Sequence, residues 1–489
     1  QSAMQNARVL WQNPPTLTTA PCPLCQNTQN NHLVLQALHF ASERGYLDLA
    51  HCGACASAWF PEAGSKNASY PPIEQVLKDP NFIYLIHHYL EIVGGLDWKV
   101  PLLERLPFEQ FESVLEIGCN TGLALDYCRT VWPAKEVIGL EPSAYGVVGS
   151  RVLEIPVIAS YLAEANALKG KQFDFIYATE VLEHVAEPVQ FLKELRAQLS
   201  TNGIVLLTTP RAEVLHPQTA PGELYAALST GSHYFIFSAK QLEQLAYQAG
   251  FNYCFVEPLG LSHLLVLANQ AVELKPAQNQ AARIYEYYQS KAQVDTLYAR
   301  THLGHLINYH NQALRCAKTI EPALINEIEQ LLKQYFALDL QAPTEFIQRL
   351  LQTDHLISFG KLLPYSLPFY LAAQAQSQVN WGFKEHLQLA LAQVICLQGL
   401  KTDFQNLFVY HALLEQIELA LHALVNNHQD DELIQVLHQT AAQLRSSIPE
   451  LQLAQTKAVK VKKALKKQTK HKIFRTIHRS LTKLKQQLA

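Results

Sequence analysis

Four cysteines fall in two pairs, Cys22-Pro23-Leu24-Cys25 and Cys52-Gly53-Ala54-Cys55, with 26 residues between them. Each pair can turn on itself so that its thiolates converge, and two such knuckles complete a tetrahedral four-sulfur site for zinc. In a reducing cytosol a metal explains the spacing better than disulfides do. Four unligated core cysteines would need two accidental CxxC pairs in one short segment, and redox use of one pair lacks a βαβ context. Four thiolates leave no coordination position open, so the zinc is expected to be structural.

A second chemical centre starts at Val114-Leu115-Glu116-Ile117-Gly118-Cys119-Asn120-Thr121-Gly122. The apolar run from Ser113 to Ile117 reads as a buried parallel strand, and Leu123 to Cys128 begins a helical pattern after the turn. Glycines between a strand and a helix let the backbone approach a ligand at the strand's carboxyl end. A dinucleotide loop wants G-x-G-x-x-G, but Asn120 stands in for the second glycine, and Glu116 would repel a pyrophosphate. An acid there suits a ligand without phosphate that carries an ammonium and a sulfonium, which is S-adenosylmethionine. Glu141 closes the next apolar run nineteen residues after Gly122, where an acid can bind both hydroxyls of a ribose. Tyr161 and Leu162 follow a third short strand, where apolar and aromatic surface suits the adenine.

Those residues resemble the first motif of the class I S-adenosylmethionine-dependent methyltransferases. Glu180-Val181-Leu182-Glu183-His184-Val185 with Glu187-Pro188 is similar to the motif after the fourth strand in small-molecule methyltransferases, the ubiquinone-pathway type among them. With Gly203 to Pro210, and His233 to Ser238 ahead of the helix ending at Gly250-Phe251, the resemblance spans roughly Phe108 to Gln270. It implies an α/β, Rossmann-like domain of seven strands. Glu116, Gly118, Asn120 and Gly122 are then expected around the methionine portion, Glu141 on the ribose, Tyr161 and Leu162 at the adenine, and Glu180 beside the cofactor. Asn120 replaces the family's commoner glycine, and Asn tolerates the left-handed backbone such a turn needs. An acceptor that must lose a proton requires a base, for which His184 and His233 lead, with Tyr234 beside them and His216 behind. Each of these could equally cap a helix or line the pocket.

A zinc segment ahead of such a domain resembles two groups. Bacterial sugar and secondary-metabolite methyltransferases point to a small-molecule or glycan acceptor, and zinc-ribbon ribosomal RNA methyltransferases point to RNA. The Glu180–Val185 motif and an acidic body favour the first. A non-catalytic scaffold that only binds the cofactor is the third reading.

With 489 residues, 48% of them hydrophobic and 17% charged, the chain should hold several soluble domains. No apolar run has the length to span a bilayer, and the first residues lack a signal-peptide pattern, so a cytoplasmic protein is expected; the resemblance implies a bacterial one. Residues 1–15 are read as a tag remnant (Gln1-Ser2-Ala3 before Met4) and an arm. Residues 16–62 follow as a zinc ribbon, 63–107 as a helical connector and 108–270 as the methyltransferase domain. Residues 271–450 are read as an α-helical accessory domain with a potential for homo-oligomerisation, and 451–489 as a basic amphipathic tail. That tail holds twelve Lys and Arg and no acid, which leaves 27 basic and 42 acidic residues elsewhere, a formal charge of about −15. Ile473, Phe474, Ile477, Leu481, Leu484 and Leu488 would give it an apolar stripe. It could lie on an anionic membrane or pack on the acidic body; nucleic acid ranks third, with Phe474 the sole aromatic among the charges.

Overall fold

The computed structural model describes residues 8–294, 298–424, 428 and 430–452. The tail's apolar stripe and membrane contact lie outside the described residues. Two compact units divide the chain, residues 1–305 and 306–489.

Partly alternating apolar residues build strands β1 (Val9–Thr18), β2 (Asn31–Leu38), β3 (Tyr46–His51) and β4 (Ala58–Trp59). Leu35, Ala37, Leu47 and Leu49 turn inward and form a small core with Phe60. β1 opens at Val9, inside the stretch assigned to an arm, and is an edge strand. Its register on β2 breaks between Trp11 and Thr16, around Pro14 and Pro15, since proline has no N–H for the ladder. The connector follows as short helices, among them α1 (Phe82–His88) and α2 (Leu96–Leu103).

The larger sheet contains β5 (Ser113–Ile117), β6 (Glu136–Leu140), β7 (Val157–Ile158), β8 (Phe173–Thr179) and β9 (Leu199–Pro210). Intervening helices are α3 (Leu123–Val131), α4 (Ala144–Leu153) and α5 (Pro188–Ala197). After β9 come α6 (Pro221–Leu228), the two-residue β10 (Phe235–Ile236), α7 (Ala239–Gln248), β11 (Tyr253–Leu259) and β12 (Ser262–Ala268). The order is β11-β12-β9-β8-β5-β6-β7, with β5 to β9 parallel and β11 and β12 antiparallel. The strand order turns at β5, where β6 and β8 flank it, so its carboxyl end is the crevice at which such sheets bind ligands. α5 starts on Pro188, whose missing N–H costs nothing in a first turn, and stops at Ala197; β9 takes over from Leu199 with a register shift between Leu199 and Ile204. β10 leaves this sheet and pairs with β4, as the fifth strand of the N-terminal sheet.

The first unit runs on past Gln270. α8 (Ala281–Ala292) sends Lys291 (2.7 Å) and Tyr287 (2.7 Å) onto Asp126, a buried acid of α3 that Arg129 also bonds. Arg283 meets Glu104 at 3.2 Å. These buried ion pairs hold α8 to the sheet domain, whereas the sequence placed residues 271–305 with the C-terminal helices. The second unit is helical as expected, around Phe383–Thr402, whose buried residues cover every face. No helix among the described residues is long and apolar enough to cross a membrane.

Three histidines of the first unit, His87, His233 and His305, are pushed down to about 3 chiefly by burial. They stay neutral in the fold, while an unfolded chain protonates them near pH 6.5. The unfolded state therefore binds more protons below pH 6.5, and stability falls as pH drops from there toward 3. Thermal unfolding between pH 8 and 4.5 should show the midpoint declining below pH 6.5; a flat profile would contradict neutral burial.

Candidate functional site

The turn from β5 into α3 uses backbone that most residues avoid: φ is +67° at Gly118, +50° at Asn120 and +84° at Gly122. A Cβ on Gly118 would stand 2.7 Å from Val181 Cγ2, and one on Gly122 2.6 Å from Ile155 Cγ2, so both positions need glycine for space as well as for conformation. Glu141, at the end of β6, accepts hydrogen bonds from Asn120 N at 2.9 Å and Ser143 N at 3.1 Å. It thereby ties the glycine loop to the next strand, and each of its oxygens keeps a lone pair for a further donor. Asn120 Oδ1 and Thr121 Oγ1 are buried with no partner among the described residues. Polar atoms left unpaired beside a glycine turn fit a polar ligand that would satisfy them. Tyr161 lies exposed and Leu162 half-buried after β7. The Glu141 carboxylate helps to push up the phenols of Tyr161, Tyr145 and Tyr70, the last to about 12, with burial the larger cause in each. Tyr70 and Tyr145 therefore belong to the same neighbourhood, which the sequence did not reveal.

Glu116 stands in β5, two residues before Gly118. Its side chain is fully buried, with Oε2 accepting from Tyr177 at 2.8 Å and Oε1 4.0 Å from Lys99 Nζ. Burial pushes the carboxyl up to about 7 against the pull of Lys99. Its Oε1, like Asn120 Oδ1 and Thr121 Oγ1, is buried with no hydrogen-bond partner among the described residues. Lys99, which also bonds Tyr89 at 3.4 Å, is the buried charge that the sequence reading missed. Its signal was a lysine on the apolar face of α2, beside Leu96, Val100 and Leu103.

Past the end of β8 lies a cavity of about 340 Å³ lined by Glu180, Glu183, His184, His233 and Ser262, with apolar atoms from Leu261 and α6. Glu180 was expected at the cofactor, but its carboxylate accepts from Ser262 Oγ at 2.6 Å and faces this cavity. His184 Nδ1 bonds Ser232 O at 3.1 Å and His233 Nδ1 bonds Ala227 O at 3.0 Å. A carbonyl only accepts, so Nδ1 carries the proton in both rings, and each neutral imidazole keeps its lone pair at Nε2. The rings meet edge to face with centroids 4.6 Å apart. Glu183 is fully buried, accepts from Thr209 at 2.9 Å and has Oε1 3.9 Å from His233 Nε2. Burial and the neighbouring Glu180 push its carboxyl well above the usual carboxylate range. Ligand atoms of Glu183, His184 and His233 lie within 4.8 Å of one another, so the set also has the spacing of a cation site. Tyr234 does not line the cavity. Its ring is half-buried against the two hydrophobic cores. His216 also stays out of the lining, bonding Gln218 N at 3.3 Å.

The four cysteines converge as their spacing implied, with all Sγ atoms within 4.8 Å. Cys22–Cys55 is 3.8 Å and Cys25–Cys52 is 3.5 Å; zinc–sulfur bonds of about 2.3 Å put tetrahedral sulfurs about 3.8 Å apart. Ala54 N and Cys55 N point at Cys52 Sγ from 3.3 and 3.4 Å, the donors that stabilise a thiolate. The donor set fits zinc.

A family model described as "Methyltransferase domain" matches residues 95–254. Residues 95–254 form a methyltransferase domain. Similar curated proteins include the tRNA U34 carboxymethyltransferases of Campylobacter hominis, 33% identical over 23% of this chain and 40% of that protein, and of Colwellia psychrerythraea, 29% over 36% and 55%. The ubiquinone biosynthesis O-methyltransferase of Parvibaculum lavamentivorans is 27% identical over 33% of this chain and 61% of that protein. The chain spans about half the length of these relatives.

In the methyltransferase domain the predicted residues gather into two groups. Gly118, Asn120 and Gly122 form the turn at the end of β5, Glu141 bonds that turn, and Tyr161 and Leu162 follow β7. Glu180, His184 and His233 share the neighbouring cavity. The match ends at Tyr253 and Cys254, so the four cysteines, α8 and the second unit lie beyond it.

Proposed function

We propose that the chain transfers the methyl group of S-adenosylmethionine to a small molecule or glycan, at an oxygen or an acidic carbon. The cofactor supplies an electrophilic methyl on a sulfonium. Glu141 would accept the ribose hydroxyls, the Gly118–Gly122 backbone would cradle the methionine portion, and Tyr161 and Leu162 would lie at the adenine. The displacement needs nucleophile, carbon and sulfur in line, and alignment is the enzyme's main contribution. Zinc stays outside the chemistry, because its four ligands fill the shell.

One observation carries the reading of the acceptor side: two neutral imidazoles, fixed by carbonyls at Nδ1, present Nε2 lone pairs to a cavity beside the glycine loop. His184 is the better base of the two. It is exposed and its affinity for protons is lowered less, whereas deeply buried His233 is pushed down to about 3. His184 Nε2 would take the proton that the acceptor oxygen or carbon loses as it gains the methyl and displaces the cofactor's sulfur. Replacing both His184 and His233 with alanine should slow transfer at least a hundredfold, within the range of general-base catalysis. A loss of tenfold or less would mean that neither is the base.

An RNA acceptor is the second reading, favoured by the relatives named as tRNA carboxymethyltransferases. A cofactor-binding scaffold without activity is the third. Labelled methyl supplied with cell extract, afterwards separated into RNA, glycan-lipid and small-metabolite fractions, distinguishes them. We expect label in the second or third fraction; label solely in RNA overturns the acceptor, and no label anywhere favours the scaffold.

A further inference from the structure

The stretch that carries His233 is bonded along its length to the N-terminal segment, more than 160 residues away in sequence. Phe40 N donates to Thr230 O at 3.0 Å, Ala68 N to Gly231 O at 2.9 Å, Asn67 Nδ2 to His233 O at 3.3 Å and Phe60 N to Tyr234 O at 3.1 Å. Phe235 and Ile236 then pair with Trp59 and Ala58. Gly231 is packed so tightly under His39 that a Cβ would fall 2.3 Å from its ring. On the other side, Tyr234 N donates to Glu183 O at 2.7 Å. The wall of the cavity that carries Ser229 and His233 is thus bonded to the N-terminal segment.

The four-cysteine knuckles reach this wall through two side chains at the start of α7. Ser238 Oγ donates to Cys55 O at 2.5 Å, and Ser57 Oγ accepts from Ser238 N at 2.9 Å. Gln241 Nε2 donates to Leu24 O at 3.0 Å. Both residues are buried. Cys55 is a predicted ligand, and Leu24 stands between two others. A rigid metal-bound knuckle fixes the direction of these carbonyls, and a fixed acceptor fixes its donor.

We infer that Ser238 and Gln241 are positioning residues through which the four-cysteine knuckles hold the cavity wall carrying His233. The significance for methyl transfer rests on the function proposed above, but the placement of His233 can be read without any transfer assay. In the full chain supplied with zinc, three quantities are measured for Ser238→Ala, Ser238→Thr and Gln241→Leu. They are zinc released by a mercurial, S-adenosylhomocysteine affinity by calorimetry, and the rates at which diethylpyrocarbonate modifies His233 and His184, mapped by mass spectrometry. Ser238→Ala should keep its zinc and bind S-adenosylhomocysteine within twofold of wild type, yet expose His233 to modification at least tenfold faster. Exposed His184 should react at an unchanged rate. Ser238→Thr, which retains the hydroxyl, should restore slow modification of His233. Gln241→Leu keeps the helix cap that Ser238 also provides, and should reproduce the faster His233 reaction if Ser238→Ala does not fold. Wild-type reactivity of His233 in the folded variants overturns the inference. So does faster reaction accompanied by loss of zinc or of cofactor affinity, because that is general loosening. Failure of the proposed acceptor chemistry would leave these readouts unchanged.

Discussion

Removing the metal, or replacing Cys25 with serine, is expected to unravel the N-terminal sheet while the seven-stranded sheet persists. Residues 8–60 contribute four strands, and the core around Leu35, Leu47 and Phe60 is completed only by Ala212, Leu224, Leu228 and Ile236. A segment of that size buries too little apolar surface to pay for the ordering of its chain. Four thiolates on zinc supply about 10–16 kcal/mol, enough to reverse the balance. Cys22, Cys52 and Cys55 are buried, so an apo state leaves thiols crowded within 4.8 Å and no bond between them. β4 and β10 would separate first, since their ladder has only two residue pairs. Hydrogen exchange followed by mass spectrometry checks this. Protection should vanish across 20–60 and weaken across 230–238 on chelation, while 113–140 and 173–210 stay protected. Full protection of 20–60 without metal would show that the cysteines serve only as core residues.

Glu141→Ala should raise the dissociation constant for S-adenosylmethionine at least tenfold. A charge-assisted hydrogen bond from a ribose hydroxyl is worth roughly 1.5–3 kcal/mol, and tenfold corresponds to about 1.4 kcal/mol. The same carboxylate also receives Asn120 N and Ser143 N, so alanine would loosen the glycine loop as well as remove a contact. Glu141→Gln separates the two effects: its amide oxygen still accepts one backbone N–H, but its NH2 donates and it carries no charge. Calorimetry on both variants should rank alanine as the weaker binder. Unchanged binding in Glu141→Ala would remove the ribose assignment.

Local pattern revealed most of what local pattern controls. The apolar strand before Gly118, the positive-φ residues of the loop, the acid closing β6 and Pro188 at the head of α5 are each set within a few residues of chain. The paired CxxC spacing likewise contains its own geometry, since a knuckle closes on itself. Partner choice across the fold was not legible. The sequence offered Glu116 as an acid near the ligand but not its partners, Lys99 from α2 and Tyr177 from β8. Nor did it show that Ser262, from the antiparallel hairpin, bonds Glu180 at the neighbouring cavity. Tyr234 looked catalytic beside His233, but successive residues of an extended chain face opposite ways, and its ring packs half-buried against the two cores.

By itself, the sequence determined a zinc-type cysteine set, a methyltransferase-type crevice and a helical C-terminal half, because all three rest on spacing along the chain. Only the tertiary structure decided that β10 leaves its own domain's sheet for the N-terminal one, and that α8 stays with the first unit through Asp126 and Glu104. It alone brought His184 and His233 into one cavity with their lone pairs at Nε2. The reason is physical: strand pairing, buried charge and imidazole tautomers are settled by groups more than a hundred residues apart or by single backbone carbonyls, and neither leaves a period or a motif in the chain.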